Sequence, residues 1–251
     1  MPPIKISAIS YLNTLPFIYG IRESGLLSDY EMTLDTPAQC ARKVLTGKSD
    51  VGLVPSVVLA GNKECHRVND FCIATKTGAD SVFLFSHVPV EKITGILLDY
   101  QSKTSVALTR ILVEHFWKIK PKWEKTKPGF EKTIKGNTAG VVIGDRAMRL
   151  KKQFPFSYDL SAEWIRFTKH PFVFACWISK RKLPEEFISN FNNALSFGIS
   201  HIEDALLKYP PEKFSDKNPV TYLKQNIVYL LDKKLIKGLD LFHYFIENTR
   251  D

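Results

Sequence analysis

The first apolar segment of the chain covers residues 4–9, where apolar and polar side chains alternate. This period of two predicts a β-strand. After Pro16 the apolar residues recur at the spacing of a helix, and Gly25 supplies a signal for the end of that helix. The chain therefore leaves a strand, makes a polar turn and enters a helix.

The polar turn between this strand and helix contains Ser10, Asn13 and Thr14. In open α/β sheets, ligands bind where strands end and helices begin, and the free N–H groups of a helix start favour an anion. The alternative is that Asn13 or Thr14 only caps the helix. A single unit of this kind favours the capping role.

A second unit of the same kind follows. Residues 50–54 form an apolar run that is too short for a helix, and it ends at Pro55 and Ser56 before another apolar segment. Between the two units, residues 29–35 predict a short strand and residues 38–45 a helix. Strands that alternate with helices predict an α/β fold with a parallel sheet.

The third candidate turn lies between a strand predicted at residues 95–98 and a helix that runs to Phe116. The helix start carries three hydroxyl groups, from Ser102, Thr104 and Ser105, beside exposed N–H groups. Because capping requires only one of these hydroxyls, this turn is a stronger candidate for anion binding than the first turn.

A fourth turn follows the buried strand predicted at residues 139–143. Gly144 allows a ligand to approach the backbone closely, and Asp145 can cap the helix that begins there. Arg146 can bind a carboxylate of a ligand or pair with an acidic residue of the protein. The structural role of Arg146 is slightly favoured.

Two other regions bear on the fold. Residues 71–75 and 81–85 are rich in β-forming residues and flank a turn, which predicts a hairpin with Ser86 at the end of its second arm. Further along, the pattern is mainly helical, with amphipathic helices predicted at residues 220–231 and 235–246. We interpret these C-terminal helices as core packing rather than as part of a site.

Composition narrows the classes of function. Of the 251 residues, 44% are hydrophobic and 24% are charged, which is typical of a globular protein. No apolar run approaches the ~20 residues that span a membrane, and the N-terminus lacks the features of a signal peptide. We therefore expect a cytoplasmic protein that has no membrane partner.

The net charge of +9 arises from 35 basic and 26 acidic residues that are spread along the chain. This distribution disfavours a nucleic-acid partner, whereas a mild positive field attracts a small anionic substrate. The sequence contains no nucleotide-binding motif and no histidine pair at the spacing of a helical metal site. Neither a metal nor another cofactor is expected. Free thiols are expected at Cys40, Cys65, Cys72 and Cys176, which lack zinc-site spacing.

Four segments of the chain form a more specific signature together, through their order and spacing, than any one of them does alone. They are SYLNTLP at residues 10–16, DVGLVPS at 50–56, SKTS at 102–105 and IGDRA at 143–147. Together they resemble the chorismate dehydratase family of the futalosine route to menaquinone. The resemblance covers most of residues 1–180.

The resemblance implies an α/β fold of the type II periplasmic-binding-protein class. In this fold two crossing strands join two lobes, and the ligand lies in the cleft between them. Lobe one is expected to comprise residues 1–84 and 173–251, and lobe two residues 85–172, with crossings near Ser86 and Phe172. All four polar turns then converge on one cleft, which is a usual position for a ligand.

The resemblance also implies a reaction, in which chorismate loses water to give 3-[(1-carboxyvinyl)oxy]benzoate. The ring becomes aromatic, which supplies much of the driving force. Such a reaction needs two carboxylates held in the correct alignment and only modest acid–base assistance, so no cofactor is expected. The implied partner is a small-molecule substrate, and the oligomeric state is left open.

By the same resemblance, Asn13 is the candidate catalytic residue, because its amide can bind the leaving hydroxyl or a substrate carboxylate. An amide is not a strong base, so we hypothesise that the enolpyruvyl carboxylate of the substrate accepts the proton. His170 can be an acid or a structural residue, and the structural role is favoured. The candidate substrate-binding residues are Ser10, Thr14, Ser56, Ser86, Ser102, Thr104, Ser105 and Gly144.

Three other functions occur on the same fold, and fold alone does not separate them. A sibling enzyme of the pathway makes 1,4-dihydroxy-6-naphthoate, but residues 10–16 fit the dehydratase better. A solute-binding protein without catalytic activity is disfavoured by the lack of an export signal. A LysR-type effector-binding domain is disfavoured because no helix-turn-helix segment precedes the first strand.

Overall fold

The computed structural model describes residues 2–211 and 218–248. Within these residues no helix is both long enough and apolar enough to cross a membrane. The strands are β1 (Ile4–Ile9), β2 (Tyr30–Asp35), β3 (Val51–Pro55), β4 (His66–Thr75), β5 (Val82–Ser86), β6 (Gly95–Leu98), β7 (Lys122–Lys125), β8 (Thr138–Ile143), β9 (Phe156–Asp159), β10 (Phe172–Ser179) and β11 (Val228–Leu230). The α-helices are α1 (Leu15–Glu23), α2 (Pro37–Leu45), α3 (Val57–Gly61), α4 (Lys103–Ile111), α5 (Gly144–Leu150), α6 (Leu160–Thr168), α7 (Glu185–Ser200), α8 (Ile202–Lys208), α9 (Pro219–Thr221) and α10 (Lys233–Asn248).

Among the described residues the strands form two sheets. The first sheet has the strand order β11-β4-β10-β3-β1-β2, and its β1 is parallel to β2 and β3. The second sheet has the order β7-β6-β8-β5-β9, and its β6 is parallel to β7 and β8. The predicted α/β class is therefore confirmed. The predicted parallel sheet is wrong, because both sheets are mixed: β10 is antiparallel to β3 and β4, and β5 is antiparallel to β8 and β9.

The strands predicted at residues 4–9, 29–35, 50–54, 95–98 and 139–143 are confirmed as β1, β2, β3, β6 and β8. Their burial explains why their sequence patterns differ. The strand β3 lies inside the first sheet and is buried at every residue. A strand covered on both faces reads as a continuous apolar run, whereas β1 begins with the alternation of a partly exposed strand.

The hairpin predicted from residues 71–85 is wrong. The strand β4 pairs with β10 and β11 in the first sheet, whereas β5 pairs with β8 and β9 in the second sheet. The turn residues between them bind the start of α6 instead. The N–H of Ala79 donates to Ser161 Oγ at 2.9 Å, and the N–H of Asp80 donates to Asp159 Oδ2 at 2.7 Å. Segment 76–81 is thus the first crossing between the sheets.

The second crossing, residues 169–171, lies beside the first. It connects α6 to β10, and Phe172 at the start of β10 pairs with Thr75 at the end of β4. The lobe limits stated above remain a prediction, and two features bear on them. The strand β5 belongs to the second sheet from Val82 onwards, and α10 contributes buried side chains to the cores of both sheets.

The helix predicted at residues 220–231 is wrong in its second half. After α9 the chain forms a π-helical segment, Tyr222–Asn226, and then the strand β11. This strand pairs with the outer edge of β4, where backbone N–H and C=O groups otherwise lack partners. The helix predicted at residues 235–246 is confirmed as α10.

The helix α1 crosses α7 with their backbones in contact. A Cβ at Gly20 would lie 1.9 Å from the carbonyl oxygen of Ala194, and a Cβ at Gly198 would lie 1.8 Å from the carbonyl oxygen of Pro16. Only glycine allows such a close approach. This contact holds α1 in place against α7. It thereby also holds in place the polar turn that precedes α1.

We expect Gly198→Ala to lower the free energy of unfolding by about 2 kcal/mol or more, because the added methyl group must push two helix backbones apart. Gly61→Ala is the matched control. No described atom beyond the chain neighbours of Gly61 and the backbone of its own helix lies within 4 Å of its Cβ position, so the change should stay within about 0.5 kcal/mol. Urea unfolding measures both variants. An equal decrease in the free energy of unfolding for both variants would contradict the close contact between α1 and α7.

Candidate active site

A cavity lies between the two sheets, and its volume is about 590 Å³ when the space open to solvent is included. The carboxyl ends of β1, β3 and β8 and the start of α4 contribute to it. This is the position in which α/β proteins bind ligands. The lining residues are Ile9, Tyr11, Asn13, Thr14, Pro37, Pro55, Ile73, Ala79, Ser81, Val82, Ser102, Thr104, Ser105, Ile143, Gly144, Phe174, Ala175 and Ile227.

Asn13 lies on the side of the cavity that the first sheet forms. The residues after β1 make a 3₁₀ turn, Leu12–Thr14, and Asn13 is its central residue. The hydroxyl of Thr14, which is completely buried, donates to Asn13 Oδ1 at 3.3 Å. Although Thr14 occupies the N-cap position of α1, its side chain makes no capping hydrogen bond. The capping role considered for Thr14 is therefore wrong.

Tyr222 is a polar neighbour of the lining residue Ser81 that the sequence analysis did not identify. It lies in the π-helical segment of the C-terminal region, and it is buried. Its hydroxyl donates to Ser81 Oγ at 3.2 Å. Burial raises the pKa of Tyr222, so its phenol is neutral at physiological pH. A tyrosine within an apolar pattern gives no signal for such a contact.

The second sheet contributes hydroxyl groups at the N-terminus of α4. Ser102 is the N-cap residue: its Oγ accepts the Ser105 N–H at 3.1 Å and donates to Ser105 Oγ at 2.9 Å. Thr104 Oγ1 accepts the N–H of Val57, in the first helical turn after β3, at 3.5 Å. An α-helix leaves the N–H groups of its first turn without intrahelical partners. The start of α4 therefore presents to the cavity hydroxyl and N–H groups of the kind that can bind an anion.

Gly144 begins α5 and forms the edge of the cavity beside Tyr11. Its φ of +65° is a left-handed conformation that favours glycine. Its N–H donates to the Ser81 carbonyl oxygen at 2.7 Å. A Cβ at Gly144 would lie 3.8 Å from the Tyr11 ring. The absence of a side chain at Gly144 therefore keeps the backbone accessible from the cavity.

Arg146 is occupied by partners within the protein. It pairs with Asp99 at 2.7 Å and with Glu131, and it donates to Gln101 Oε1 at 3.1 Å. Burial raises the pKa of Asp99, and the charge of Arg146 opposes that shift. The structural role that the sequence analysis favoured for Arg146 is confirmed by these contacts.

A hydrogen bond joins the two sides of the cleft near this ion-pair network. The Tyr11 hydroxyl donates to Gln101 Oε1 at 3.1 Å. Tyr11 follows β1 of the first sheet, and Gln101 follows β6 of the second sheet. Tyr11 belongs to the SYLNTLP segment, but no role was predicted for it from the sequence. Its position in a polar turn at the end of a strand was the available signal.

Five of the predicted substrate-binding residues line the cavity with Asn13, and two others are turned to different contacts. Ser56 is completely buried, and its hydroxyl donates to the Val173 carbonyl oxygen at 2.7 Å. Ser86 ends β5, which runs antiparallel to β8, so the start of β5 at Val82 lines the cavity rather than its end. The five that line the cavity are Thr14, Ser102, Thr104, Ser105 and Gly144.

The remaining predicted residues lie beside the cavity or farther away. Ser10 is exposed and lines an open groove next to the cavity, together with Asp145. Burial raises the pKa of Asp145, and Arg149 opposes that shift. His170 lies in the second crossing, where its N–H donates to Thr168 Oγ1 at 3.1 Å, and it does not line the cavity.

Tyr11 is the only residue with an ionisable side chain among the described residues that line the cavity. Burial raises the pKa of Tyr11, and the nearby Asp99 carboxylate raises it further. At neutral pH the polar groups of the lining are thus hydroxyls, an amide and backbone N–H groups. Such a lining can bind carboxylates through oriented hydrogen bonds, but it offers no strong base.

Solved structures share this architecture. A protein from Archaeoglobus fulgidus has a TM-score of 0.75 and 12% identity, with 98% of this chain and 97% of that chain covered. An ABC transporter from Parabacteroides distasonis has a TM-score of 0.68 and 14% identity, with coverage of 100% and 94%. A Candida albicans gene product with the generic periplasmic binding protein fold has a TM-score of 0.66 and 11% identity, with coverage of 100% and 92%. The predicted periplasmic-binding-protein-like fold is therefore confirmed.

Sequence comparison identifies the family. The chain is 27% identical over 202 residues to the chorismate dehydratase of Thermus thermophilus, with 73% of this chain and 72% of the relative covered. A family model described as menaquinone biosynthesis matches residues 4–248. This match extends from the first residue of β1 to the last residue of α10. The chain therefore belongs to the menaquinone biosynthesis family.

Proposed function

We propose that this protein catalyses the dehydration of chorismate to 3-[(1-carboxyvinyl)oxy]benzoate, a hydro-lyase reaction of the futalosine route to menaquinone. The observation that carries the proposal is the arrangement of the Asn13 amide and the hydroxyl-bearing start of α4 around one cavity. Membership of the menaquinone biosynthesis family and the similarity to the Thermus enzyme support it. The proposal keeps the predicted cytoplasmic location.

The chemistry of the cavity lining suits the substrate. Chorismate carries two carboxylates, a hydroxyl group and an apolar ring. The start of α4 suits a carboxylate, because hydroxyl and N–H groups at a helix N-terminus bind anions. The apolar part of the lining, which includes Ile73, Ile143 and Phe174, suits the ring. A net charge of +9 attracts a dianion over longer distances.

The reaction removes a proton from the ring carbon that bears the ether and hydroxide from the neighbouring carbon. The two leave as water, and the electron pair of the C–H bond completes the aromatic ring. In this proposal the Asn13 amide donates a hydrogen bond to the leaving hydroxyl and stabilises the negative charge that develops there. The groups that hold the carboxylates align the C–H and C–O bonds for elimination.

The proton acceptor in this proposal is the enolpyruvyl carboxylate of the substrate, which then passes the proton to the departing hydroxide, so that water leaves and the carboxylate is restored. The described residues of the cavity lining include no carboxylate, imidazole or amine, and Tyr11 is neutral. The enolpyruvyl carboxylate is attached through the ether oxygen to the carbon that loses the proton, so the transfer can be intramolecular. The task of the protein is then to orient the substrate rather than to supply the base.

The likeness to an ABC transporter makes ligand binding without catalysis the main alternative. Incubation of the purified protein with chorismate, followed by mass spectrometry of the products, separates the candidates. Loss of one water from chorismate supports the proposal. Unchanged chorismate that binds the protein supports a solute-binding role. Unchanged chorismate without binding favours the sibling enzyme that makes 1,4-dihydroxy-6-naphthoate.

We expect Asn13→Ala to lower kcat by about 100-fold, because one hydrogen-bond donor to a developing oxyanion contributes roughly this factor. KM should change by less than about threefold, since the interaction strengthens mainly in the transition state. Steady-state kinetics with chorismate measures both. Asn193→Ala, which removes an exposed amide on α7, should change neither. Equal losses in kcat and in substrate affinity for Asn13→Ala would contradict the catalytic role.

We expect Thr104→Val to raise KM about tenfold with kcat within about twofold, because it removes a hydrogen bond to a substrate carboxylate at nearly constant volume. Thr109→Val is the control from the same helix. The Thr109 hydroxyl donates to the Ser105 carbonyl oxygen at 2.7 Å, and the residue is completely buried. A similar rise in KM for both variants would mean that the substitutions disturb α4, and it would contradict a hydrogen bond from Thr104 to the substrate.

We expect kcat/KM to vary by less than about twofold between about pH 6 and pH 9, because no group of the described lining titrates there. The pKa of Tyr11 is raised above its ordinary value of 10.0, so Tyr11 stays protonated as the pH rises through this range. A pH–rate profile with buffers of constant ionic strength is the measurement. A bell-shaped profile centred near neutrality would reveal a titrating base of the protein and contradict the substrate as the base.

A further inference from the structure

An open groove lies next to the cavity, and Tyr11 lies between the two. The groove is lined from both sides of the cleft, by residues that include Ser10 and Arg22 from the first side and Asp145 and Arg149 from the second. Of the described residues, Tyr11 is the only one that lines both the groove and the cavity. It is half-buried. Its side chain therefore separates the cavity from a space that is open to solvent.

The hydroxyl of Tyr11 joins this side chain to the opposite side of the cleft. It donates to Gln101 Oε1 at 3.1 Å, and Arg146 donates to the same atom at 3.1 Å. A guanidinium group has no acceptor, so the contact with Arg146 identifies this Gln101 atom as the oxygen and not the nitrogen of the amide. The Tyr11 hydroxyl is therefore the donor in the bond that crosses the cleft.

Gln101 is held in place by its own side of the cleft. Its backbone N–H donates to Asp99 Oδ1 at 2.7 Å, and Asp99 Oδ2 accepts from Arg146 at 2.7 Å. The Arg146 guanidinium also lies over the ring of Tyr100, 4.9 Å from its centroid. These contacts fix the acceptor independently of Tyr11. The Tyr11 side chain is thus the part of this hydrogen bond that can turn away.

The charges of the groove suit an anionic ligand. Arg22 on α1 and Arg149 on α5 are exposed, and they come from the two sides of the cleft. Asp145 also lines the groove, where burial raises the pKa of its carboxyl group and Arg149 opposes that shift. Two guanidinium groups and one carboxyl group give the groove an excess of positive charge, which attracts a small anion.

We propose that the groove is the entrance through which a small anionic ligand reaches the cavity, and that Tyr11 is its gate, which the hydrogen bond to Gln101 holds closed. Gly144 leaves room for the Tyr11 ring to move, because it has no side chain and the position of a Cβ there is 3.8 Å from the ring. The inference goes beyond the proposed function, since it concerns access to the cavity and not the reaction.

The test measures access to the cavity through a thiol in its lining. Ala175→Cys places that thiol on β10, and intact-protein mass spectrometry follows its labelling by a negatively charged methanethiosulfonate reagent. In this background Tyr11→Phe should raise the labelling rate about fivefold, because it removes one hydrogen bond of ordinary strength that holds the gate closed. An unchanged labelling rate overturns the proposal. The protein without Ala175→Cys corrects for the native thiols at Cys40, Cys65, Cys72 and Cys176.

Tyr30→Phe is the matched control for the loss of a hydroxyl group. The Tyr30 hydroxyl donates to the Ile21 carbonyl oxygen at 3.0 Å, and Tyr30 lines neither the cavity nor the groove. Its labelling rate should stay within about twofold of that of the Ala175→Cys protein. A fivefold rise for Tyr30→Phe as well would assign the effect to a general loosening of the first side and overturn the gate.

Gln101→Met removes the same hydrogen bond from the other side of the cleft. It should raise the labelling rate about fivefold, and in combination with Tyr11→Phe it should add nothing, because the two changes remove a single interaction. Effects that multiply in the double variant would mean that the two residues act independently, and they would overturn the gate.

The entrance is tested by removing its charges. We expect Arg22→Gln with Arg149→Gln to lower the labelling rate of the charged reagent about threefold relative to a neutral methanethiosulfonate at low ionic strength, where charges act over longer distances. Arg42→Gln with Lys48→Gln makes the same change in net charge on exposed residues that do not line the groove, and it should leave this ratio unchanged. An unchanged ratio for the first pair, or an equal fall for the second, overturns the groove as the entrance.

These labelling rates need no turnover, so they test the inference separately from the proposed function. If the unmodified protein leaves chorismate unchanged, the proposed function fails, and the labelling rates still decide whether Tyr11 controls access. If Ala175→Cys does not fold, Ser105→Cys places the thiol in the same lining. The expected changes in labelling rate and the results that overturn the proposal are then the same.

Discussion

The antiparallel pairing of β4 with β10 is the interaction that determines where the cavity forms. The end of β4 and the start of β10 lie side by side, with Thr75 opposite Phe172. Both crossings leave the first sheet at this point, so the carboxyl ends of parallel strands in the two sheets meet at one cleft. Backbone hydrogen bonds set this arrangement, and it brings Asn13 and Gly144 to the same cavity although they are far apart in sequence.

The four polar turns were predictable because each depends on local rules. A short apolar strand, a polar turn and a helix start are readable in sequence, and the carboxyl ends of such strands bind ligands in this class of fold. Asn13, Thr104 and Gly144 were found in this way and line one cavity. Ser86 ends its strand as predicted but does not line the cavity, because the direction of β5 in a mixed sheet depends on pairing that periodicity does not reveal.

The structural features that could not be predicted from the sequence depend on contacts with residues that are distant in the chain. The turn around Asp80 has the composition of a hairpin, but its N–H groups bind α6 and the chain passes to the other sheet. The strand β11 forms because the edge of β4 is available, not because its own residues exclude a helix. Tyr222 has the pattern of a core residue in every respect except the hydrogen bond from its hydroxyl to Ser81 Oγ.

The charge distribution explains why orientation matters so much at this site. Arg146 lies two residues after Gly144, yet Asp99 and Glu131 bind its guanidinium. A free arginine paired with a carboxylate of the substrate would attract the substrate and the transition state about equally, and such uniform binding does not accelerate the chemical step. Hydroxyl and amide donors are weaker, but their energy depends steeply on direction. In the proposed reaction the rate therefore depends on how precisely the Asn13 amide is held, and the hydrogen bond from Thr14 to Asn13 Oδ1 contributes to that precision.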